Sequence, residues 1–574
     1  MLQICSGKLF QNTVEYRNQL RGIIYTNLRF GFGREERLDT EAGSLLSTSN
    51  LGQSNAIVYE IEELIESTGQ EKGILVSHAV DPYILDFSTV LSFALHCTAS
   101  PSYALTDRLL SNQKGVSTHE IPSKVVKRFF DKDIYCTEAD GEHLRKFIKH
   151  LIGLERKTYL GVMRAIRTYV TGMHRIADDF ELAYTLLVAS IESLAQDFDG
   201  HKSSWSNYDQ RKRKLIDEAL SGANNEISTR VRKAILDIEH TSLGRRFRDF
   251  SIEHLNPSYF REETLGVVHP ISKYDLPKAL ANAYQARSQY VHNLRTLPSQ
   301  LTHTIAYSES TQIDNKAWLT IQGLSRLARH IITEFVKRQN TVDKEVYDYS
   351  GERSGIVQMK MAPQYWVGRT ELYHGSGSKK LEGFLSQIAA YMSGTKNAVV
   401  TDLRDLLAIV EKKIHEFKKE DKLSYIALHF IFNGFVAEEQ RTENASSFQE
   451  RFECEFMAPS SESLIVHTLF NITPPWEVTE YHRTLDRYFE QRDNRFSFRA
   501  PALFEAGMIL NLAESYRANE ERSKAVDLVS MAVENYPGHE ALSQFEQDFK
   551  LESRPIKWQT ILMPKVQEEE QNRP

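Results

Sequence analysis

Beyond about residue 140, apolar residues return every three or four positions, and that periodicity constrains the fold more than any other feature. His143, Phe147, Leu151 and Leu154 open the series, and Leu160, Met163, Ile166 and Val170 continue it. Residues 180–198 form the strongest amphipathic stretch, with Leu182, Leu186, Ala189, Ile191 and Leu194 on one face. Asp178 and Asp179 stand at its start, where carboxylates suit the helix dipole. Further helices are expected near 208–220 and 226–240, followed by a loop-rich region ending at Pro270. Asp275-Leu276-Pro277 then predicts an acidic N-cap with proline in the first turn, opening a helix that runs to about His292. A long helix is expected near 318–338, and helices resume at Leu381. The fold class is therefore mainly α and multidomain.

The start of the chain reads differently. Residues 23–30, 56–61 and 73–76 carry β-branched and aromatic residues in strand-like runs, and 34–54, rich in Ser, Thr, Gly and Glu, reads as a loop. The expected division is a β-rich or α+β domain (1–138), a helical domain (139–340), a linker or small subdomain (341–380), a helical region (381–550) and a poorly ordered tail (551–574). Leu512, Ala513, Tyr516, Ala525, Ala532 and Pro537 resemble one tetratricopeptide unit within 506–539. Stable arrays need about three such units, so an ordinary helical hairpin explains these residues equally well.

Composition closes several alternatives. With 41% apolar and 26% charged residues in 574, the chain is neither collagenous nor largely disordered. Its four cysteines, Cys5, Cys97, Cys136 and Cys454, are scattered without CxxC or histidine at ligand spacing, so no disulfide framework, metal site or cofactor is expected. No secretory signal or membrane span is visible, which predicts a cytoplasmic protein without a membrane partner. A net charge of −7 confines any nucleic-acid binding to a local patch.

Phosphate-cradling, dinucleotide, zinc-helix and nucleophile-elbow motifs are all absent, which leaves arginine–histidine pairs. With 39 arginines and 19 histidines, chance supplies about as many pairs at five-to-seven spacing as the five present: Arg145/His150, Arg167/His174, Arg248/His254, Arg287/His292 and Arg369/His374. Context separates them. The run Ala283-Tyr284-Gln285-Ala286-Arg287-Ser288-Gln289-Tyr290-Val291-His292-Asn293 resembles the signature of the HEPN superfamily, in its ApeA-like branch. Upstream, Leu186-Leu187-Val188-Ala189-Ser190-Ile191-Glu192-Ser193-Leu194 resembles that family's early helix with its glutamate. Asn293 stands where glycine is usual, and both residues tolerate left-handed geometry.

The resemblance implies a helical domain that is often a metal-independent ribonuclease, its site assembled where two protomers juxtapose their motifs. Arg287 and His292 would be catalytic, with Ser288, Glu192 and Asn293 supporting. The residue chemistry agrees. Ser288 and His292 lie one helical turn apart, while Arg287 lies about 140° round the helix from His292. A guanidinium holds phosphate, and an imidazole moves protons near neutral pH. Arg211, Lys212, Arg213, Lys214, Arg245, Arg246 and Arg248 are the expected RNA contacts, since residues 201–261 carry 12 basic and 8 acidic residues. Phe247, Phe250 and Tyr259 are expected to stack on bases. The expected function is a regulated, dimeric endoribonuclease of bacterial anti-phage defence, with a protein partner or phage-derived trigger at either end. A catalytically silent dimerisation or RNA-binding module and a helical-repeat scaffold are the rivals.

Overall fold

The structure, a computed structural model, describes residues 1–30, 37–48, 55–67, 79–111, 113, 120–200, 204–205, 208, 210–238, 243–303, 307–352, 357 and 359–563. It is mainly helical with a β region near the N-terminus, and it divides into two compact units, 1–358 and 359–574.

In the first unit, β1 (Val14–Thr26), β2 (Leu28–Phe30), β3 (Arg37–Thr40), β4 (Gly43–Ser47) and β5 (Ala56–Glu66) follow the short helix α1 (Leu2–Cys5). The antiparallel sheet has the order β3-β4-β5-β1-β6, where β6 is Ala99–Ser100. Alternation decides its faces. Ile57, Tyr59 and Ile61 are buried, whereas Glu60 and Glu62 point outward and pair with Arg21 and Arg17 at 2.9 Å. Residues 37–47, expected as loop, are instead the β3–β4 hairpin, which forms because β4 finds hydrogen-bonding partners on β5. Gly43 makes the turn possible: its φ is +114°, and a Cβ there would lie 2.6 Å from the Glu60 carbonyl. The expected strand at 73–76 lies outside the described residues.

The inner face of the sheet packs on α2 (Asp81–Leu95), with Tyr59 and Phe87 stacked at 4.4 Å. This helix is the most apolar in the sequence, and its one buried acid, Asp86, pairs with Arg167 at 2.6 Å. Among the described residues, no helix is long and apolar enough to cross a membrane. After α3 (Tyr103–Leu110), α4 (Pro122–Val125) and β7 (Ile134–Cys136), which pairs in parallel with β2, the helices begin. They are α5 (Glu138–Gly153), α6 (Arg156–Arg175), α7 (Phe180–Phe198), α8 (Gln210–Ala219), α9 (Asn225–Ile238), α10 (Leu243–Glu253), α11 (Leu276–Asn293), α12 (Ser299–Thr302) and α13 (Ile321–Arg338), with the hairpin β8 (Ser310–Ile313) and β9 (Lys316–Leu319) before the last. Helix α10 falls where loop was expected, and Trp318 lies on β9 rather than in a helix.

One hydrophobic core runs from Leu2 to Val336. The expected boundary at 138/139 therefore marks a change of secondary structure inside a shared core and does not separate two cores. The expected linker also divides. Tyr349 stacks on Phe10 and Glu352 pairs with Arg156 in the first unit, while Val367 belongs to the core of the second.

The second unit is built from α14 (Ser376–Met392), α15 (Arg404–Lys413), α16 (Lys419–Phe435), α17 (Ala445–Phe452), α18 (Ser461–Phe470), α19 (Val478–Gln491), α20 (Ala502–Ala518), α21 (Arg522–Asn535), α22 (Glu540–Leu551) and α23 (Trp558–Leu562). Ala506, Ala513, Ala525 and Ala532 are buried, and the hairpin of α20 and α21 accounts for the repeat-like residues. Residues 551–563 are not a loose tail: Trp558 is fully buried and donates its indole N–H to the Thr468 carbonyl at 3.2 Å. Residues 564–574 of the expected tail lie outside the described residues.

One acid-sensitive group follows from this packing. His174, in the last turn of α6, has Nε2 sealed from solvent without a hydrogen-bond partner. Burial, then the charges of Arg175 and Arg108, push its pKa down to about 4. The unfolded chain protonates this histidine near its ordinary value, so it binds more protons than the folded chain between that value and about 4. Stability should fall as pH drops through this window, by up to about 3 kcal/mol from this group, and level off below it. His174→Phe should remove that component, so the variant should gain on the wild type in melts taken from pH 7 down to 4. A wild-type–variant difference independent of pH would contradict it.

Candidate functional site

The segments resembling the early helix and the arginine–histidine motif lie on α7 and α11. The first of these starts as expected, with Asp179 Oδ1 accepting the Leu182 N–H at 2.9 Å. Pro277 occupies the first turn of α11, but Asp275 makes no side-chain cap. Ser272 takes that role from outside the helix: its Oγ accepts the Asp275 N–H at 3.1 Å and donates to Asp275 Oδ2 at 2.8 Å. Ala279, Leu280, Ala283 and Ala286 form the buried face of α11, and the small alanines allow close approach to the neighbouring elements.

Glu192 is nearly fully buried on α7 and acts as the counter-charge for Arg287, whose Nη2 lies 2.8 Å from Glu192 Oε2. The other carboxylate oxygen accepts from the Tyr284 hydroxyl at 3.3 Å and from Gln196 Nε2 at 3.2 Å. Burial and the Glu192 carboxylate push the Tyr284 phenol up to about 12, so it stays a donor. The Arg287 guanidinium also lies 5.9 Å from the centre of the Tyr284 ring, and its Nε is sealed without a partner. One end of the contact is closed by the Tyr290 hydroxyl, which donates to Asp179 Oδ2 at 3.2 Å. The two helices thus run antiparallel, joined by polar contacts near both ends of α7.

His292 lies on the exposed last turn of α11, beside exposed Val291, Asn293 and Leu294. The expected angular separation results: Arg287 turns toward α7 and His292 toward solvent. Ser288 is half-buried and makes no hydrogen bond to His292, so the expected orienting contact is not formed. Asn293 remains helical. The left-handed residue is Leu294, φ 51°, whose N–H bonds back to the Tyr290 carbonyl at 2.9 Å. Tyr284 and Tyr290 enter the site as anchors; their only sequence signal was their place in the run that carries the motif.

The basic clusters separate into two kinds. On α8, Arg211, Lys212 and Lys214 are exposed and Arg213 is half-buried; Lys214 lies 3.9 Å from Glu218, and Lys212 lies over the Tyr208 ring. On α10, Arg246 is turned inward, with Nε and Nη2 at 2.6 and 2.9 Å from the Asp199 carboxylate and Nη2 at 3.0 Å from the Gln196 carbonyl. It caps the C-terminal end of α7 and is removed from the expected RNA contacts. Arg245 and Arg248 share Asp249. Phe247, Phe250 and Tyr259 are all buried in the core, so they offer no ring to a base, contrary to expectation.

The remaining arginine–histidine pairs have other partners. His150 faces the Gln339 carbonyl at 3.1 Å, His254 the Phe250 carbonyl at 2.9 Å, and His374 the Asp421 carboxylate at 2.9 Å. Among the described residues, no three His, Cys, Asp or Glu side chains converge as metal ligands. No protein-family model, curated protein or solved structure matches the chain.

The inward turn of Arg246 has a measurable cost. Arg246→Ala strands a nearly buried Asp199 carboxylate and uncaps α7, so it should destabilise the chain by about 2–4 kcal/mol. Arg245→Ala and Arg248→Ala remove exposed pairs and should stay within about 0.5 kcal/mol of wild type in the same denaturant titration. Equal effects from all three would contradict the distinction.

Proposed function

We propose that the chain is a metal-independent endoribonuclease of the HEPN type, cutting single-stranded or loop RNA and acting as a regulated, toxin-like effector of bacterial anti-phage defence. The observation that carries this reading is the Glu192–Arg287 contact at 2.8 Å. It joins the two segments whose sequences resemble the family, and it leaves His292 exposed at the end of the same helix.

In this reaction the 2′-oxygen attacks the adjacent phosphorus, the bond to the 5′-oxygen breaks, and a 2′,3′-cyclic phosphate and a 5′-hydroxyl result. His292 takes the proton from the 2′-hydroxyl, and His292 of a second copy gives one to the leaving 5′-oxygen. Arg287, held in place by Glu192, stabilises charge on the non-bridging oxygens. The exposed cations of α8 track the RNA backbone. A second reading, a catalytically silent module, draws on the same ion pair, since Glu192 already compensates the charge of Arg287.

Regulation is part of the proposal, because unrestrained cleavage of RNA harms the cell that makes the enzyme. The fragment that tests restraint is residues 1–358, since 140–340 alone lacks strands and helices of its own core. At equal folded abundance, 1–358 should be more toxic than the full chain; equal or weaker toxicity would count against restraint.

His292→Ala should abolish cleavage while folding and association persist. Arg287→Ala should cost about 10²–10³ in rate. Ser288→Ala should stay close to wild type, and EDTA should leave the rate unchanged. A His292→Ala protein that cuts at the wild-type rate would overturn the proposal. For binding, replacing Arg211, Lys212, Arg213 and Lys214 with Gln should weaken RNA affinity and flatten its dependence on salt. An unchanged salt slope would take α8 off the RNA path.

A further inference from the structure

A cavity of about 880 Å³ opens in the first unit at the N-terminal end of α11, the opposite end from His292. Ligand sites typically measure roughly 300–1,000 Å³. One wall is the 3₁₀ turn Pro257–Phe260 with Arg261 after it, and the other is the stretch 270–277 that leads into α11. A buried ion pair fixes both walls. Arg326 donates to the Tyr259 carbonyl at 3.1 Å and to Glu309 Oε2 at 3.0 Å, and the same carboxylate oxygen accepts the Ile271 N–H at 3.1 Å. Ser272 then donates to Asp275 at 2.8 Å, which sets the turn that carries Lys273 and Tyr274.

The lining has three parts. Leu255, Ile271 and Leu276 are aliphatic, and two aromatic rings join them: Phe260, half-buried, and Tyr274, 91% exposed. Arg261 and Lys273, both exposed, supply the charge, and no acid belongs to the lining. Among the described residues neither cation pairs with a carboxylate. The acids nearby in the chain are engaged or lie outside: Asp275 is held by Ser272, Glu263 faces His330 at 3.0 Å, and Glu262 is exposed beyond the lining. The uncharged polar side chains are engaged locally. Asn256 accepts the Ser258 N–H at 2.9 Å, the Thr264 hydroxyl donates to the Arg261 carbonyl at 2.6 Å, and Ser272 caps α11.

An occupant must therefore offer a flat apolar face to the rings and negative charge to the two cations, without asking for hydrogen bonds along its edge. A nucleic-acid base between phosphates has that chemistry, and stacking on aromatic rings tolerates any base. We propose that this cavity takes one unpaired base of a single-stranded RNA, stacked on Tyr274 and Phe260, with the flanking phosphates on Arg261 and Lys273. The choice of RNA as the strand rests on the ribonuclease reading, although the cavity shares no residue with the Glu192–Arg287 contact. Between Leu276 and His292 the helix rises about 24 Å, so a strand engaged at both ends spans several nucleotides. The rings expected to stack on bases, Phe247, Phe250 and Tyr259, are buried; Phe260 and Tyr274 take over that role.

The test is fluorescence anisotropy of a short, labelled single-stranded RNA titrated with the full chain carrying His292→Ala, so that binding is read without cleavage. Tyr274→Ala should weaken binding about tenfold and leave its salt dependence unchanged. Tyr274→Phe, which keeps the ring, should bind as the parent chain does. Arg261→Gln combined with Lys273→Gln should weaken binding and flatten the log–log salt slope by about 1.4, the value for two phosphates of a single strand. All four positions changed are exposed or at the rim, and melting temperatures should stay at the parent value. Affinity unchanged in both Tyr274→Ala and the double variant would overturn the proposal. So would a uridine 5′-monophosphate that competes as tightly as the strand, since the cavity would then be a mononucleotide site. These readouts are separate from cleavage: a chain that cuts RNA but binds it unchanged in these variants sinks this proposal alone, whereas a chain that binds as described but does not cut sinks only the ribonuclease reading.

Discussion

A carboxylate buried on an apolar helix must find a counter-charge, and Glu192 finds Arg287. That requirement fixes how α11 lies on α7, because the partner must arrive within hydrogen-bonding distance at one point along the helix. Tyr284 and Gln196 take the remaining acceptor capacity of the carboxylate, and Tyr290 closes on Asp179. With the helix held at these points, its last turn carries His292 out to solvent in a defined place. The site's geometry therefore depends on a contact that lies beneath it.

The same logic extends through the first unit. Asp86 sits in the most apolar helix of the chain and is matched by Arg167 on α6, which ties the helix under the sheet to the helical layer. Glu309 is fully buried and is matched by Arg326, which also lies 3.8 Å from the centre of the Tyr259 ring. Asp86, Glu192 and Glu309 are each met by an arginine from another element, whereas the buried Glu63 accepts from the Tyr83 hydroxyl at 2.6 Å.

Helices with a wide apolar face were legible from periodicity alone, and Asp179 was legible as a cap because its partner lies three residues away. What depended on distant partners was not. The β3–β4 hairpin lies in a stretch rich in Ser, Thr and Gly, and it exists because β5 offers hydrogen bonds. In α10, Arg245, Arg246 and Arg248 mask the buried face formed by Phe247, Phe250 and Ser251, so the segment reads as a basic loop. The shared core of 1–338 was invisible for a related reason: periodicity shows that a face is apolar but not which other face covers it. At the site, Arg287, His292 and Glu192 were readable as a constellation, yet the inward turn of Arg246 and the burial of three aromatic rings reduce the expected RNA surface to α8 and the exposed arginines of α10.

The central claim is that Glu192 positions Arg287 for chemistry and does not merely neutralise it. Glu192→Gln keeps the size and much of the hydrogen bonding of the side chain while removing its charge. Single-turnover RNA cleavage by this variant, read beside its melting temperature, tests the claim most directly. The account predicts a rate reduced by about 10²-fold with the chain still folded and RNA affinity little changed. A wild-type cleavage rate in a chain that only melts earlier would mean that the pair holds two helices together and does nothing more.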